Sequence, residues 1–284
     1  MSLRVVAVDM DGTFLRPDMP YDRPRFARLL ARLGERGVRF VVASGNQSWQ
    51  LRSFFEPTDA VAFAAENGHF VYDTGRETPL FAVEPDPDLG RALVGTLEDL
   101  RHPYLVSSVE GAFMPIWIRD ADEAWARLYY PRLTMLDDVG EIAETVVKAS
   151  LRVDDPVAVA EQLSRALGHG VAAAASGPED VDVNAPGHHK ATGLARLLDH
   201  WGVDWADVVA VGDNHNVLEM LDAAGLAVAM ANARPEVKDA ADRVAPANAA
   251  VASWRCWASS FRRTTARGEA RFPHPSDHES GGPP

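Results

Sequence analysis

Three short apolar runs rich in β-branched residues stand early in the chain, each separated from the next by an amphipathic stretch. They lie at 5–8, 38–43 and 61–65, and the first breaks off at Asp9. Between the first two, Asp22 is a suitable N-cap, and apolar residues follow at helical spacing. Continuous apolar strands that alternate with helices are typical of parallel sheets covered on both faces. The sequence therefore predicts an α/β fold with a doubly wound parallel sheet.

This alternation is interrupted in the middle of the chain and resumes later. Two alternating runs flank Thr74-Gly75 as in a hairpin, and an acidic, Pro-rich break at 84–88 follows. The region after the break mixes helices and short strands, and the first pattern returns after Pro186-Gly187. The last residues are rich in Arg, Ser, Pro and Gly with few apolar side chains. We therefore predict a discontinuous α/β core at 1–83 and 186–261, an inserted α+β cap at 84–185 and a disordered tail at 262–284.

The chain is strongly acidic. Its 284 residues include 28 Lys plus Arg against 41 Asp plus Glu, a net charge of −13. Nucleic acids and anionic membranes are bound through dense cationic surfaces, so neither is expected as a partner. The longest stretch without a charged residue, 166–178, is 13 residues long, shorter than the roughly 20 needed to span a bilayer. The single cysteine, Cys256, favours a reducing compartment. We expect a cytoplasmic protein.

Polar residues follow three of the predicted strands at the point where each strand ends. They are Asp9, in the sequence Asp9-Met-Asp-Gly-Thr13, then Ser44 and Asp213. In open α/β sheets, ligands bind beyond the carboxyl ends of the strands. Carboxylates that converge there repel each other unless a cation neutralises them, and oxygen ligands suit Mg²⁺, which favours phosphate as a further partner. Lys190, at the start of a predicted helix, adds a charge suited to an anion.

Each of these residues also has a plainer explanation when it is considered alone. An Asp-x-Asp sequence is common in solvated turns, and Ser44 and Asp213 are suitable helix caps. Lys190 is a solvated surface residue by default. The occurrence of all four motifs in one order favours a functional site over four independent structural roles.

These residues resemble the four motifs of the haloacid dehalogenase (HAD) superfamily. The motifs are Asp9-Met-Asp-Gly-Thr13, Ser44-Gly45, Lys190 and Gly212-Asp213, with an insert between the second and the third. An α/β cap in that position is typical of the Cof-type branch. Asn46, Glu66-Asn67-Gly68 and the segment 186–190 are similar to the bacterial sugar phosphatases of that branch. The resemblance covers residues 3 to about 261.

The resemblance implies a two-step phosphoryl transfer. Asp9 attacks phosphorus and becomes an aspartyl phosphate, and Asp11 protonates the leaving alcohol and then activates water. Mg²⁺ is held by Asp9, by the backbone carbonyl of Asp11 and by Asp213. The implied phosphate-binding residues are Ser44, Gly45, Asn46 and Lys190, and Asn216 lies near the site.

Val217 departs from the family pattern, which usually has Asp at this position. The chain reads Gly212-Asp-Asn-His-Asn-Val217. Loss of a group that supports metal ligands typically costs on the order of 10–100-fold in metal affinity or activity. Asp213 itself is retained, so the predicted metal ligands are complete.

Two further groups of residues are assigned structural roles. His188 and His189 are adjacent and therefore point in different directions, so a zinc site is not expected and they are interpreted as loop residues. Four aromatic residues of the cap are candidates to line the substrate chamber, but packing of the cap's own core is the favoured explanation. They are Phe113, Trp117, Tyr129 and Tyr130.

The favoured function is a Mg²⁺-dependent phosphatase for small phosphorylated metabolites, most of all sugar phosphates. One alternative is a phosphomutase, which uses the same nucleophile but returns the phosphoryl group to the sugar. A second is a low-activity protein that binds a phosphorylated ligand, because of Val217. A receiver-like signalling domain is disfavoured. In such a domain the phospho-accepting Asp lies on a central strand well after the start of the chain, whereas Asp9 follows the first strand. We expect a monomer or a weak homo-oligomer.

Overall fold

The computed structural model describes residues 2–15, 21–56, 59–118 and 120–247. The predicted tail at 262–284, the final part of the predicted core and Cys256 lie outside the described residues. Within the described ranges, no helix combines the length and the apolar character that crossing a membrane requires.

The described chain forms fourteen strands and eight α-helices. The strands are β1 (Val5–Val8), β2 (Arg39–Ala43), β3 (Val61–Ala65), β4 (Phe70–Tyr72), β5 (Phe81–Ala82), β6 (Tyr104–Ser108), β7 (Gly111–Pro115), β8 (Leu133–Leu136), β9 (Lys148–Arg152), β10 (Ala172–Ala175), β11 (Asp180–Asn184), β12 (Val208–Gly212), β13 (Leu226–Met230) and β14 (Arg243–Ala245). The helices are α1 (Arg23–Gly34), α2 (Ser48–Phe55), α3 (Pro87–Leu100), α4 (Asp120–Tyr129), α5 (Pro156–Leu167), α6 (Lys190–Trp201), α7 (Leu218–Ala223) and α8 (Pro235–Asp239).

The larger sheet has eight strands in the order β14-β13-β12-β1-β2-β3-β4-β5. Every pair from β14 to β3 is parallel, and β4 and β5 continue the sheet as an antiparallel hairpin. All residues of β1, β3, β12 and β13 are buried, as expected for strands between two helical layers. The predicted doubly wound parallel sheet is confirmed, and so is the predicted hairpin.

The helices that flank this sheet begin and end at the expected signals. At the start of α1, the Asp22 side chain accepts a hydrogen bond from the Arg25 backbone N–H at 3.0 Å, and Phe26 and Leu33 face the core. Helix α6 ends at Gly202, which has a φ of 59°. Glycine adopts this left-handed backbone conformation at little cost, and a residue in that conformation ends the helix.

The second sheet has six strands in the order β10-β11-β9-β6-β7-β8 and belongs to the segment from α3 to β11, called the cap below. Its neighbouring strands are antiparallel except for β7 and β8. The cap has its own buried core, which includes Leu97, Tyr104, Leu151 and Leu163. The structure thus combines a HAD-like sheet with an inserted α+β cap.

The sequence analysis missed two elements. Strand β8 lies at the edge of the cap sheet, and Leu133 is the one buried residue of its four. Because the strand is so little buried, its sequence shows no regular alternation of apolar and polar residues. Helix α8 has five residues, too few to show a helical apolar stripe. After β12 the chain forms a 3₁₀ turn, His215–Val217, which leads directly into α7.

Candidate active site

Three neighbouring strands bring the predicted site residues to one edge of the core sheet. Strands β12, β1 and β2 are adjacent, and Asp213, Asp9 and Ser44 follow their carboxyl ends. A cavity of about 330 Å³, called the chamber below, lies between this edge and the cap. All eight predicted site residues line it: Asp9, Asp11, Ser44, Gly45, Asn46, Lys190, Asp213 and Asn216.

The loop after β1 packs directly against Asp213. Gly12 has a φ of 73°, and a Cβ atom there would lie 2.1 Å from Asp213 Oδ2. Glycine is therefore required both by the backbone conformation and by the close approach. The Thr13 hydroxyl donates to Asp213 Oδ1 at 2.7 Å, which holds that carboxylate beside the loop.

Lys190 is buried and lies against Asp9. Its Nζ donates to Asp9 Oδ1 at 2.7 Å, and the same oxygen accepts the Met10 backbone N–H at 2.7 Å. The start of α6 reaches this depth because two glycines touch: a Cβ atom on Gly193 would lie 2.5 Å from the Cα atom of Gly68. This close helix–turn contact places the Lys190 ammonium at the carboxylate of Asp9.

Asp11 is held by the residue that follows the second motif. The Asn46 side-chain amide donates to Asp11 Oδ2 at 2.8 Å, while the Asn46 backbone N–H donates to the Ser44 hydroxyl at 3.1 Å. Burial, followed by the charge of Asp9, raises the pKa of Asp11 above its usual value, although Asn46 and Lys190 act in the opposite direction. A carboxyl group with a raised pKa is suited to donate a proton.

The pKa of Asp213 is raised to about 6, first by burial and then by the negative charge of Asp9. Three carboxylates, those of Asp9, Asp11 and Asp213, share the chamber edge with the single ammonium of Lys190. Carboxylates in such proximity resist joint ionisation unless further positive charge is present. The site is therefore electrostatically suited to a cation.

The donor set at this edge fits Mg²⁺. Among the described residues, no three or more His, Cys, Asp or Glu side chains surround one metal position. The expected ligands are instead two carboxylates, Asp9 and Asp213, and the Asp11 backbone carbonyl. Mg²⁺ in phosphoryl-transfer sites is typically bound by one or two carboxylates, with water and phosphate as the other ligands. The side-chain oxygen of Asn216, in the same chamber wall, is buried without a hydrogen-bond partner.

The plainer explanations of three site residues are wrong. The Ser44 hydroxyl does not cap α2, whose N-cap position is occupied by Gln47. Asn214, not Asp213, accepts the backbone N–H at the start of the turn after β12. Lys190 is 1% exposed and is therefore not a solvated surface lysine.

Two of the four cap aromatics have both of the roles considered for them. Tyr129 and Tyr130 line the chamber, and both also pack in or against the buried core of the cap. Phe113 packs against the cap core as predicted, and Trp117 lies under the Arg101 guanidinium at 4.9 Å. Neither of the latter two lines the chamber.

The cap contributes further residues that the sequence analysis did not single out. One of them is Trp125, which forms an edge-to-face pair with Tyr129, with ring centroids 6.4 Å apart. Ser150, Asp180 and Asp182 complete this wall. A signal for them was present, because polar residues recur at every second position of β9 and β11, and such alternation marks one polar face of a strand.

The histidines of the segment before α6 have no metal-binding partners among the described residues. His188 lies before the helix with its ring centroid 5.5 Å from that of His69, and His189 occupies the N-cap position of α6. The backbone N–H of His189 donates to the Thr192 hydroxyl at 3.0 Å.

Comparison with known proteins identifies relatives over most of the chain. A family model described as haloacid dehalogenase-like hydrolase matches residues 6–253. The chain is 37% identical to the 5-amino-6-(5-phospho-D-ribitylamino)uracil phosphatase of Escherichia coli (strain K12), with 87% of this chain and 92% of the relative covered. It is 29% identical to the pyridoxal phosphate phosphatase of the same organism, with 86% and 93% covered.

A solved structure shares the architecture. The crystal structure of a Streptococcus mutans UA159 protein superposes with a TM-score of 0.84 at 28% identity, and the match covers 92% of this chain and 99% of that one. The family match, the named relatives and the fold agree. The chain therefore belongs to the haloacid dehalogenase-like hydrolases and is a phosphoric monoester hydrolase of their Cof-type branch.

Proposed function

We propose that this protein is a Mg²⁺-dependent phosphatase for small phosphorylated metabolites and that it acts through an aspartyl phosphate on Asp9. The observation that carries the proposal is the arrangement of two carboxylates in one chamber: Asp9 is held by Lys190 and Asp11 by Asn46. This arrangement supports a nucleophile and a proton donor that act in one chamber, each with its own hydrogen-bonded partner.

In the first step, Asp9 attacks the phosphorus atom of the ester. The hydrogen bonds described for its side chain go to Oδ1, from Lys190 and Met10, so Oδ2 is the oxygen that attacks. The new bond joins Oδ2 to phosphorus while the bond to the ester oxygen breaks. Asp11 gives its proton to the departing alkoxide oxygen, which leaves as an alcohol.

In the second step, Asp11 accepts a proton from a water molecule. That water attacks phosphorus, the bond to Asp9 breaks, and inorganic phosphate is released. The Ser44 hydroxyl accepts a hydrogen bond from Asn46, and its own proton remains available for a phosphate oxygen. The Lys190 ammonium faces the other oxygens of the transferring group, whose negative charge is spread in the transition state.

Asp9, Asp213 and the backbone carbonyl of Asp11 would hold Mg²⁺. When bound, this ion offsets the negative charge of the carboxylates and of the phosphoryl group. The protein residues orient the two reacting carboxylates and surround the phosphate between the core and the cap.

For the substrate we propose a phosphate ester of a sugar or of a related polyol. The names of two relatives specify a phosphorylated ribityl chain joined to a uracil ring and pyridoxal phosphate. These compounds combine a small phosphate ester with a nitrogen heterocycle. The chamber, at about 330 Å³ and with Trp125 and Tyr129 in its wall, supports compounds of this size and kind. We also propose a cytoplasmic location and a monomeric or weakly associated state.

A phosphate-release panel tests the proposal. Sugar phosphates, ribityl phosphates and pyridoxal phosphate are offered with and without Mg²⁺, and Asp9→Asn is the inactive control. Phosphate release that requires both Mg²⁺ and Asp9 supports the proposal. Release from no substrate contradicts it, and an isomerised sugar phosphate in place of free phosphate identifies a phosphomutase.

Val217 supports one alternative, a protein that binds a phosphorylated ligand with little turnover. The side chain is fully buried, and a Cβ atom on Gly212 would lie 2.5 Å from its Cγ2 atom. Val217 thus packs directly against Gly212, the last residue of β12, which precedes Asp213. If Val217→Asp raises phosphate release many-fold from near zero, the natural chain is a poor enzyme; substantial activity of the natural chain excludes this alternative.

A further inference from the structure

A buried lysine of the cap reaches across to the core loop that follows β2. Lys148 is the first residue of β9 and is 1% exposed. Its Nζ donates to the backbone carbonyl of Gly45 at 3.0 Å and to the Tyr130 hydroxyl at 2.9 Å. It also lies 3.3 Å from Asp182 Oδ1. The Lys148 ammonium therefore links the cap to the core loop that follows β2.

The Lys148 ammonium is charged. Burial alone would lower its pKa, but Asp182, Tyr130 and Glu66 outweigh that effect and raise it. Asp182 is in turn fixed by the Ser150 hydroxyl at 2.7 Å and by the Asn67 amide at 2.8 Å. A hydrogen bond from a charged donor is stronger than one from a neutral donor, so the contact with the Gly45 carbonyl is firmly held.

This contact fixes the peptide group between Gly45 and Asn46. Its carbonyl accepts from Lys148, and its N–H donates to the Ser44 hydroxyl at 3.1 Å. With both polar groups bonded, the peptide plane cannot rotate freely. The Asn46 side chain starts from this peptide and donates to Asp11 Oδ2 at 2.8 Å. A continuous series of contacts therefore leads from the cap to the carboxylate that handles the proton.

We propose that Lys148 is a positioning residue which, by holding the Gly45 carbonyl, orients Asn46 and through it the acid–base group Asp11. The inference rests on the proposed function, in which Asp11 protonates the leaving group. It assigns the cap a role in the chemistry of the core in addition to enclosing the substrate. Lys148 itself makes no contact with the reacting atoms in this assignment.

The test uses two aryl phosphates of similar shape but different demand for a proton. When phenyl phosphate is cleaved, the phenolate is a poor leaving group and needs the Asp11 proton as the ester bond breaks. The 4-nitrophenolate of 4-nitrophenyl phosphate departs as a stabilised anion without it. The ratio of the two kcat/KM values, measured with Mg²⁺ supplied, therefore reports how well Asp11 is placed.

Lys148→Met is expected to lower kcat/KM for phenyl phosphate about 10-fold more than for 4-nitrophenyl phosphate, a part of the roughly 10²–10⁴-fold available from general acid catalysis. Asp11→Asn is expected to show the same discrimination to a larger extent. The matched control is Arg152→Met, which removes a cation from the same strand whose partners are Glu179 and Asp122. Equal losses on both substrates would mean that Lys148 only stabilises the fold and would overturn the proposal.

Two additions keep the test decisive. If Lys148→Met does not fold because Asp182 is left without its cation, the double variant Lys148→Met/Asp182→Asn, which removes both charges, is used in place of the single variant.

The NMR signals of the Asn46 side-chain amide are followed in the same variants. They are expected to move in the Lys148 variants and to stay in place in Arg152→Met; unchanged signals contradict the positioning role. If the natural chain cleaves no phosphate ester, the proposed function fails, and the Asn46 signals still decide the positioning role.

Discussion

Two lysines of the described chain are equally buried, and each is paired with an aspartate, but the other groups around the two ion pairs differ. Lys190 in the core lies 2.7 Å from Asp9, and Lys148 in the cap lies 3.3 Å from Asp182; each lysine is 1% exposed. An ion pair taken out of water is stable only when its remaining hydrogen-bonding capacity is also satisfied. The two pairs meet this condition to different extents.

In the cap pair, Lys148 and Asp182, neighbouring groups satisfy the remaining hydrogen-bonding capacity of the carboxylate. Asp182 accepts from Ser150 and Asn67 in addition to Lys148, and its pKa is lowered although burial acts to raise it. In the core pair, Lys190 and Asp9, the charges are not balanced, because the carboxyl groups of Asp11 and Asp213 lie nearby and have raised pKa values. The difference teaches that a saturated pair fixes structure, whereas an unbalanced cluster is prepared for added positive charge and a phosphate ester.

The largest expected effect is on activity at the core pair. Asp9→Asn removes the proposed nucleophile and should lower kcat by roughly 10⁶-fold, in line with the loss of other covalent nucleophiles. The measurement is phosphate release with Mg²⁺ present, with folding checked by circular dichroism. Asp138→Asn, which removes the charge of a carboxylate that accepts the Gly140 backbone N–H in the cap, is the matched control and should retain activity. Comparable activity of the two variants would contradict the nucleophilic role.

The next effect is on stability and should appear at the cap pair. Asp182→Asn removes the only carboxylate within ion-pair distance of the buried Lys148 ammonium among the described residues, and we expect a loss of about 3 kcal/mol in the free energy of unfolding. Asp9→Asn should cost much less, since Lys190 keeps two other carboxylates nearby. Urea unfolding of both variants measures the difference. Equal losses would remove the distinction between a saturated pair and an unbalanced cluster.

A third effect concerns Glu66, which is buried beside Lys148. Burial raises its pKa to about 7 from the ordinary value of 4.5, although Lys148 acts to lower it. As the pH rises, Glu66 loses its proton near pH 4.5 in the unfolded chain but only near pH 7 in the folded chain. The stability contributed by neutral Glu66 is therefore full below pH 4.5 and is lost as the pH rises toward 7. Between pH 5 and pH 7 the loss is about 2 kcal/mol.

Glu66→Gln should remove this component of the pH dependence. Chemical unfolding at the two pH values measures it, and Glu144→Gln, a change at an exposed carboxylate, is the control. An unchanged pH dependence in Glu66→Gln would show that Glu66 is already ionised in the folded protein.

The smallest effect is the gain in stability from metal. Mg²⁺ at ten times its Kd should raise the free energy of unfolding by about 1.4 kcal/mol if it binds the folded chain only. Asp213→Asn should abolish this gain, while Asp182→Asn should retain it, because the cap pair needs no added cation. A gain that survives Asp213→Asn would place the metal elsewhere.

Much of the core site could be predicted because its residues follow strands. Burial on both faces makes β1, β2 and β12 continuous apolar runs, so the polar residues after them stand out in the sequence. Parallel strands end at the same edge, and this brings Asp9, Ser44 and Asp213 together without knowledge of the loops. The motif order then indicated Lys190 as the fourth member.

The cap wall of the chamber could not be predicted in the same way. Tyr129 is at the end of α4, and Asp182 lies on an antiparallel strand whose partners are set by strand order. Nothing local distinguishes a tyrosine that packs in a small core from one that lines a cavity. The contact between Lys148 and the Gly45 carbonyl joins residues 103 positions apart, and no sequence pattern specifies that pairing.

The sequence by itself determined the architecture of the core and which residues gather at the carboxyl edge of its sheet. Apolar periodicity specifies which strands are buried, and the polar residues that interrupt it line the chamber. The tertiary structure decided which lysine has its partners satisfied and which does not, and which cap residues line the chamber. These properties depend on distances of about 3 Å between elements distant in sequence, because hydrogen bonds and charge interactions act at such range and only packing sets them.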